Sequence, residues 1–215
     1  WRSPMSITID SYSEISCPWC FVGHHRLDKV LSERFPDLNA EIIHHPVLLM
    51  PDAPFEGLYI PNMLRQRYGI TDPKQAFDRP ENEALASGFP LDLSKQLYAY
   101  PTQPAHALIL AAREKGTQHP LAVAITDAYF VEAKNTGDAN VLAEIATNFG
   151  FTHDEAFDIA RSTKWRQQVD VEAMQSTEAG VRSVPHFIFN NQSAISGGRS
   201  EDELATAIQD AACLT

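Results

Sequence analysis

The sequence is poor in cysteine, in positive charge and in long apolar runs, and each shortage excludes a class of protein. Its 215 residues include only three cysteines, which fits a reducing compartment better than the even-numbered disulfide framework of a small secreted domain. Lys and Arg number 17 against 28 Asp and Glu, a net charge of −11, so nothing electrostatic favours nucleic acid or an anionic membrane. No apolar stretch approaches the roughly 20 residues that span a bilayer. With 44% hydrophobic residues, the composition is that of a soluble globular protein.

The two ends of the chain carry little information about function. Residues 1–4 lack the apolar core of a signal peptide, and Met5, directly before the first predicted strand, is interpreted as the natural start after a short cloning remnant. The expected location is therefore the cytoplasm, although a signal removed upstream would leave the same sequence. Cys213 is interpreted as an incidental thiol near the end of the chain; a dimer-forming role, and with it a homodimer, stays open.

The other two cysteines form the most informative motif, Cys17-Pro18-Trp19-Cys20. An alternating run at 6–10 predicts a strand before the motif, and apolar residues at helical spacing follow it. Cys17 is thereby predicted at a strand-to-helix junction, where free N–H groups and the helix dipole favour an anion. The thiolate is that anion and the reactive form of cysteine, and Pro18 suits the first helical position. The motif therefore favours a redox site.

Three other interpretations of the motif stay open at this point. A CxxC pair is half of a zinc site, and His24 or His25 could complete it, but both lie about two helical turns further on and no second CxxC exists. The cysteines could be ordinary buried residues. A structural disulfide would close a very short loop and contribute little stabilisation.

The order of predicted elements indicates an α/β fold interrupted by helices. A second extended run at 41–47 completes a β-α-β unit, which implies parallel strands. Residues 62–175 look helical almost throughout. Strands at 184–189 and 193–196 then form a hairpin, and Ser200 opens a final helix with Glu203 three residues later, which is the capping-box pattern.

Within the helical stretch, apolar residues recur at three-to-four spacing. This spacing predicts helices at 105–115, 120–134, 138–149 and 153–161. Asp138 and Thr152 are the expected N-caps of the last two.

The expected domain organisation follows from this order. Residues 1–55 and 176–215 are the two parts of one thioredoxin-like domain, and residues 56–175 are an all-helical insertion between its β-α-β and β-β-α parts.

Several motifs make the chain resemble the FrnE-like branch of the DsbA superfamily, which is related to the 2-hydroxychromene-2-carboxylate isomerases. They span about residues 7–212, nearly the whole chain, and imply a thioredoxin fold with a helical insertion. The matching stretches are Cys17-Pro18-Trp19-Cys20-Phe21-Val22-Gly23, Pro51-Asp52-Ala53-Pro54 with Glu56-Gly57, Ala105-His106-Ala107-Leu108, Gly180-Val181-Arg182-Ser183-Val184-Pro185, and Ser196-Gly197-Gly198.

The resemblance implies roles for particular residues. Cys17 would be the nucleophile that forms a mixed disulfide with a substrate, and Cys20 would resolve it. Pro185 would follow a cis peptide bond that brings the Val184 backbone beside the thiols, where it could pair with an extended substrate. The expected substrate-binding residues are Pro18, Trp19, Val184, Pro185, His186 and His106.

The chain departs from the pattern of this branch at positions expected to face the substrate. Ala107 replaces an arginine, Ser183 a glycine, and His186 a threonine or serine, while Pro101 stands near a usual asparagine. These changes weaken the transfer of substrate choice more than that of redox chemistry. A protonated His186 would stabilise the thiolate and make the disulfide more oxidising.

The sequence thus predicts a protein disulfide oxidoreductase acting on protein thiols and disulfides or on a small thiol. No tightly bound cofactor or metal is expected, and glutathione is a candidate co-substrate. The nearest rival is a glutathione-dependent isomerase or transferase of the kappa-class type, in which a serine usually stands where Cys17 does. A polypeptide-binding chaperone, with its apolar surface near Trp19, is the non-enzymatic alternative.

Overall fold

A four-stranded sheet lies at the centre of the computed structural model, which describes residues 5–213. The expected cloning remnant at residues 1–4 lies outside the described residues. The strand order is β2-β1-β5-β6, with β1 parallel to β2 and antiparallel to β5. The strands are β1 (Ser6–Ser13), β2 (Asn39–Pro46), β5 (His186–Phe189) and β6 (Ser193–Ser196).

Two helices cover one face of this sheet, α1 (Pro18–Arg34) and α9 (Glu201–Ala211). Alternation along β1 directs Ile7 and Ile9 towards them, where both are buried. They pack with Leu27 of α1, Phe187 of β5 and further apolar side chains of α9 in one core. The parallel β1-α1-β2 unit is the crossover that the sequence predicted.

Between β2 and β5 the chain is helical and builds a second core. A pair of two-residue strands, β3 (Leu58–Tyr59) and β4 (Tyr98–Ala99), joins two distant parts of this region. No helix within residues 5–213 is long and apolar enough to cross a bilayer. The helices are α2 (Ile60–Tyr68), α3 (Lys74–Ala86), α4 (Gln103–Ala111), α5 (Gln118–Phe130), α6 (Ala139–Ala146), α7 (His153–Arg161) and α8 (Thr163–Glu178).

The predicted N-cap residues are confirmed, whereas the helices expected from 105 and 120 each begin two residues earlier, at Gln103 and Gln118. Asp138 accepts hydrogen bonds from the N–H groups of Asn140 and Val141 at the start of α6. Thr152 and Ser200 each head a complete capping box, on α7 and α9. The four-stranded sheet, with a long helical region between β2 and β5, confirms the α/β thioredoxin fold with a large insertion. The insertion was predicted to be all-helical, but it also contains the short strands β3 and β4.

Candidate active site

Cys17 lies between the end of β1 and the start of α1. It is the N-cap residue of α1, with extended backbone angles, and Pro18 occupies the first turn. Its own N–H donates to the Glu14 carbonyl at 3.3 Å, which closes the turn after β1. The strand-to-helix junction therefore presents the Cys17 sulfur to the helix N-terminus, where a thiolate is stabilised.

The two thiols of the motif are both free and buried, and they differ in acidity. The hydrogen bond from the Cys20 thiol lowers the pKa of Cys17, and the backbone N–H groups of Cys20 and Trp19 act in the same direction against burial and the charge of Glu14. Burial raises the pKa of Cys20 well above its usual value, and the hydrogen bond and charge of Cys17 add to this rise. The pair therefore combines a thiolate-forming sulfur with a sulfur that keeps its proton.

The segment just before β5, which is distant from the motif in the sequence, lies beside Cys17. The Val184–Pro185 peptide bond is cis, and the Val184 carbonyl accepts from the Cys17 thiol at 3.9 Å. Gly23 of α1 allows this approach, because a Cβ at that position would lie 2.7 Å from Pro185 Cγ. A backbone carbonyl thus lies directly beside the Cys17 sulfur.

Trp19, between the two cysteines, has close neighbours in two other parts of the chain. A Cβ added to Gly198 would lie 2.4 Å from the indole ring, so only glycine leaves room for this packing. The Arg79 guanidinium carbon lies 5.6 Å from the ring centroid, within cation–π range. Trp19 therefore links the motif to the turn after β6 and to α3 of the insertion.

Beside the motif an apolar cavity of about 250 Å³ opens between α1 and the insertion. None of its lining side chains is charged. Cys17, Pro18 and Trp19 form one wall, and the others include Met50, Ile60, Met63, Leu64, Phe77 and Phe130. An engineered apolar cavity of about 150 Å³ is known to bind benzene, so this one has room for a larger apolar group next to the sulfur.

A buried carboxylate lies behind the thiol pair. Glu14 is 1% exposed and receives three hydrogen bonds, from the Ile15 N–H (2.8 Å), the Leu49 N–H (3.0 Å) and His106 Nε2 (2.9 Å). His106 is itself buried on α4 and does not line the apolar cavity. Through the His106–Glu14 pair, the insertion therefore contacts the segment just before the motif. Glu14 was not predicted from the sequence.

The histidines nearest the motif have partners away from the sulfurs. His24 is buried and bonds Ser11 Oγ at 2.8 Å, while His25 bonds Asp127 at 2.7 Å. Burial and neighbouring histidines lower the pKa of His24 to about 3. Within residues 5–213 no group of three or more His, Cys, Asp or Glu side chains is arranged to hold a metal ion.

His186 lies on β5 directly after Pro185 and bonds Ser196 Oγ on β6. Its ring meets Tyr12 of β1 edge-on at 5.8 Å, and Tyr12 stacks on His45 of β2. Burial lowers the pKa of His186, which works against its protonated form. The electrostatic role considered for this residue stays a prediction.

The structure brings most of the predicted site residues together. Cys17, Pro18 and Trp19 share the cavity wall, Cys20 lies beneath Cys17, and Val184 with Pro185 faces it. His106 bonds Glu14, and His186 bonds Ser196. Glu14 and Arg79 were not predicted from the sequence. The only sequence signal for Glu14 is that an acidic residue stands three positions before Cys17, at the end of a strand.

A thioredoxin fold with a hydrogen-bonded CxxC pair at the start of its first helix defines a class of thiol–disulfide proteins. The family model described as "DSBA-like thioredoxin domain" matches residues 8–209. The chain therefore belongs to the DsbA-like thioredoxin family, and the predicted resemblance is confirmed.

Known proteins similar to the chain agree with this assignment. YwbO, an uncharacterised protein of Bacillus subtilis, is 26% identical over 211 residues, which cover 96% of this chain and 98% of YwbO. A probable DsbA oxidoreductase of Streptomyces coelicolor has a similar structure, with a TM-score of 0.84, 22% identity, and coverage of 97% of this chain and 91% of its own. The cytosolic disulfide reductase DsbM of Pseudomonas aeruginosa, in a structure with GSH, gives a TM-score of 0.64 at 17% identity, covering 96% of each chain.

The isomerase side of the resemblance also has a structural counterpart. A 2-hydroxychromene-2-carboxylate isomerase matches with a TM-score of 0.72 and 14% identity over 97% of this chain and 99% of its own. These structural likenesses describe the shared fold.

Proposed function

We propose that this protein is a thiol–disulfide oxidoreductase with Cys17 as the nucleophile and Cys20 as the resolving thiol. The observation that carries the proposal is the hydrogen-bonded thiol pair, whose acidities are driven apart at the start of α1. Although Cys17 is buried, it lines the apolar cavity, and its thiol donates to the Val184 carbonyl. A single reactive sulfur with a protonated partner directly behind it suits two successive exchange steps.

In the reducing direction the Cys17 thiolate attacks one sulfur of a substrate disulfide. The substrate S–S bond breaks, a Cys17–substrate bond forms, and the first substrate sulfur leaves as a thiolate that takes a proton. Cys20 then loses its proton and attacks Cys17, which releases the second substrate thiolate and leaves a Cys17–Cys20 disulfide. Two electrons pass from the dithiol to the substrate. Two molecules of a thiol such as glutathione return them and form a disulfide with each other; the oxidising direction is the reverse.

His106 receives a different role from the one expected from the resemblance. Because it is buried and bonded to Glu14, we assign it to positioning that carboxylate and not to contacting the substrate. Pro18, Trp19, Val184 and Pro185 keep their proposed place as the substrate-binding surface, and the apolar cavity would accept a side chain next to the substrate sulfur.

The cytoplasm is the proposed location, supported by the small number of cysteines and by the likeness to a disulfide reductase that is named as cytosolic. Glutathione as a co-substrate is supported by the same neighbour, which was determined with GSH. Retention of the reduced protein on a glutathione affinity column would support this part of the proposal, and lack of retention would contradict it.

The reduction potential of the Cys17–Cys20 pair tests the proposal directly. The protein is equilibrated with glutathione buffers, and the alkylated thiols are counted by mass. A reversible two-electron couple is expected; a potential near −270 mV, roughly that of thioredoxin, indicates a reductant, and one near −120 mV, roughly that of DsbA, indicates an oxidant.

Two variants assign the roles of the sulfurs. Cys20→Ser is expected to accumulate the mixed disulfide between Cys17 and a model disulfide, while Cys17→Ser should form none. Cys213→Ser serves as the control and should behave as the wild type, because Cys213 is exposed and lies beyond the end of α9. Absence of any reversible Cys17–Cys20 disulfide would refute the proposed function.

A further inference from the structure

A second and larger cavity, of about 680 Å³, lies within the helical region. It shares no lining residue with the apolar cavity beside Cys17. The starts of α4, α6 and α8 all reach its wall. Its chemically distinctive lining side chains are Phe55, Gln103, Asp138, Phe157, Arg161 and Arg166.

Two arginines give one side of this cavity its positive charge. Arg161 at the end of α7 and Arg166 in the first turns of α8 form no ion pair within residues 5–213. The Arg161 guanidinium carbon lies 5.1 Å from the centroid of the Phe157 ring, which holds it over an apolar surface. Two guanidinium groups at a shared wall are suited to a carboxylate, which they can bind through paired N–H donors.

Hydrogen-bond acceptors occupy other parts of the wall. Gln103 is 3% exposed; its Nε2 donates to the Pro51 carbonyl at 3.1 Å, and its Oε1 is buried without a partner among residues 5–213. Asp138 uses Oδ1 for the N–H groups at the start of α6, which leaves its second oxygen for another donor. A buried acceptor without a partner is unfavourable, so a donor entering from the cavity would be stabilised.

The aromatic side chains complete the pattern. Phe55, on the loop after β2, is 70% exposed at this cavity, and Phe157 lies beneath Arg161. An exposed aromatic ring beside a cavity is suited to covering an apolar ligand. The wall thus offers two cations, acceptors for an amine and two aromatic surfaces. Its ionised groups are Arg161, Arg166 and Asp138, which give a net charge of about +1.

We infer that this cavity binds a small amino-carboxylate with an apolar side chain, such as a free amino acid. Its carboxylate would bind Arg161 and Arg166, its amine would donate to Asp138 and Gln103, and its side chain would lie between the two phenylalanines. A dianionic phosphate is less suited, because the Asp138 carboxylate would repel it. This site is independent of the thiol chemistry.

L-phenylalanine is the probe for the test, with the ¹⁵N-labelled full chain observed by NMR. Saturable shifts are expected at the Gln103 side-chain amide and at the backbone amides of Gly137 and Asn140. L-phenylalaninamide, which lacks the carboxylate, and 3-phenylpropionate, which lacks the amine, should each bind at least about fivefold more weakly.

Arginine variants test the same contact from the side of the protein. Arg161→Gln and Arg166→Gln should each weaken L-phenylalanine binding about fivefold. Lys164→Gln removes the same charge from the same turn of α8, outside the cavity lining, and should leave binding unchanged. No saturable shift up to the solubility of the probe, equal binding of the amide, or equal weakening by Lys164→Gln would each overturn the inference.

Discussion

At the scale of single residues, the buried carboxylate of Glu14 adds negative charge behind both thiols. This charge raises the pKa of Cys17 and of Cys20. Glu14→Gln should therefore lower the pKa of Cys17 further, and alkylation of Cys17 by iodoacetamide should reach half its maximal rate at a lower pH. The measurement is the rate of alkylation against pH, followed by mass.

Glu178→Gln is the matched control, since Glu178 is an exposed carboxylate at the end of α8. Glu178→Gln should leave the pH dependence of Cys17 alkylation unchanged. A profile of Glu14→Gln that is unchanged or moved to higher pH would contradict the electrostatic role of Glu14. His106→Gln, which removes the imidazole and keeps a donor, separates the role of the carboxylate from that of its partner.

The glycine that faces Pro185 is a second position at this scale. Alanine in place of a helical glycine ordinarily stabilises a helix by about 0.5–1 kcal/mol. In Gly23→Ala the new Cβ would lie 2.7 Å from Pro185 Cγ, so the expected result is a destabilisation of about 1–3 kcal/mol from overpacking. Because Pro185 would move, the variant should also react more slowly with a model disulfide.

Urea unfolding measures the first effect of Gly23→Ala, and stopped-flow thiol exchange measures the second. Ser32→Ala, an exposed position on the same helix, should change stability by less than about 0.5 kcal/mol. A Gly23→Ala protein as stable and as reactive as the wild type would show that Pro185 has room to adjust.

The position of the cysteine motif could be predicted from the sequence, whereas the residues packed around it could not. Cys17 at the start of a helix follows from local spacing, and the structure places it there. Glu14 could not be identified in the same way, because its hydrogen-bond partners Leu49 and His106 lie 35 and 92 residues away. Burial of a carboxylate depends on such distant contacts and leaves no periodic pattern in the sequence.

At the scale of elements, the N-cap residues stabilise the helix starts by an amount that can be measured. Ser200 accepts from the N–H of Glu203 at 3.1 Å, and Glu203 accepts from the N–H of Ser200 at 2.9 Å. Ser200→Ala should cost about 0.5–2 kcal/mol in the free energy of unfolding by removing the N-cap of α9. Urea unfolding measures this loss, and Thr206→Ala on the exposed side of α9 should not reproduce it.

The N-cap residues could be predicted from the sequence, whereas some of the C-terminal ends of the helices could not. The spacing predicts a helix over 120–134, but α5 ends at Phe130. Ala133 takes a positive φ of 54° and the Lys134 N–H bonds the Ala128 carbonyl, which closes the helix without the glycine that usually marks such an end. The strands β3 and β4 are two residues long, too short for alternation to predict them.

At the scale of the whole molecule, buried neutral histidines couple folding to pH. His44 and His119 bond each other at 2.8 Å, His119 bonds Asp28 at 2.6 Å, and the His24 ring lies 5.1 Å from that of His44. Burial lowers the pKa of His24 to about 3 and that of His44 well below its usual value. The unfolded chain therefore binds more protons than the folded one below about pH 6.5.

Stability should consequently fall as the pH falls from about 6.5 towards about 3, by up to about 1.4 kcal/mol per pH unit for each histidine. Urea midpoints at about pH 7 and about pH 4 measure this slope. His24→Gln, which can still bond Ser11, should reduce the slope, and His153→Gln on the exposed surface of α7 should not. A midpoint independent of pH would contradict the assignment.

The overall architecture was predicted because its two halves carry independent local patterns. The β-α-β unit and the terminal β-β-α unit were each predicted from alternation and capping, and the structure pairs them through β1 and β5. The domain boundaries at 55 and 175 stay a prediction. The two cavities were not predicted, since their walls combine side chains from several elements.

The distance along the chain between the nucleophile and its backbone neighbour has a consequence for synthesis. Cys17 and the Val184 carbonyl are 167 residues apart, so a ribosome adding about 5–20 residues per second makes the thiols roughly 8–30 s before the segment that closes over them. During that interval the motif exists without the Val184 carbonyl that lies beside Cys17 in the folded protein. The cell therefore makes the cysteines of this protein well before it makes the part of the chain that shields them.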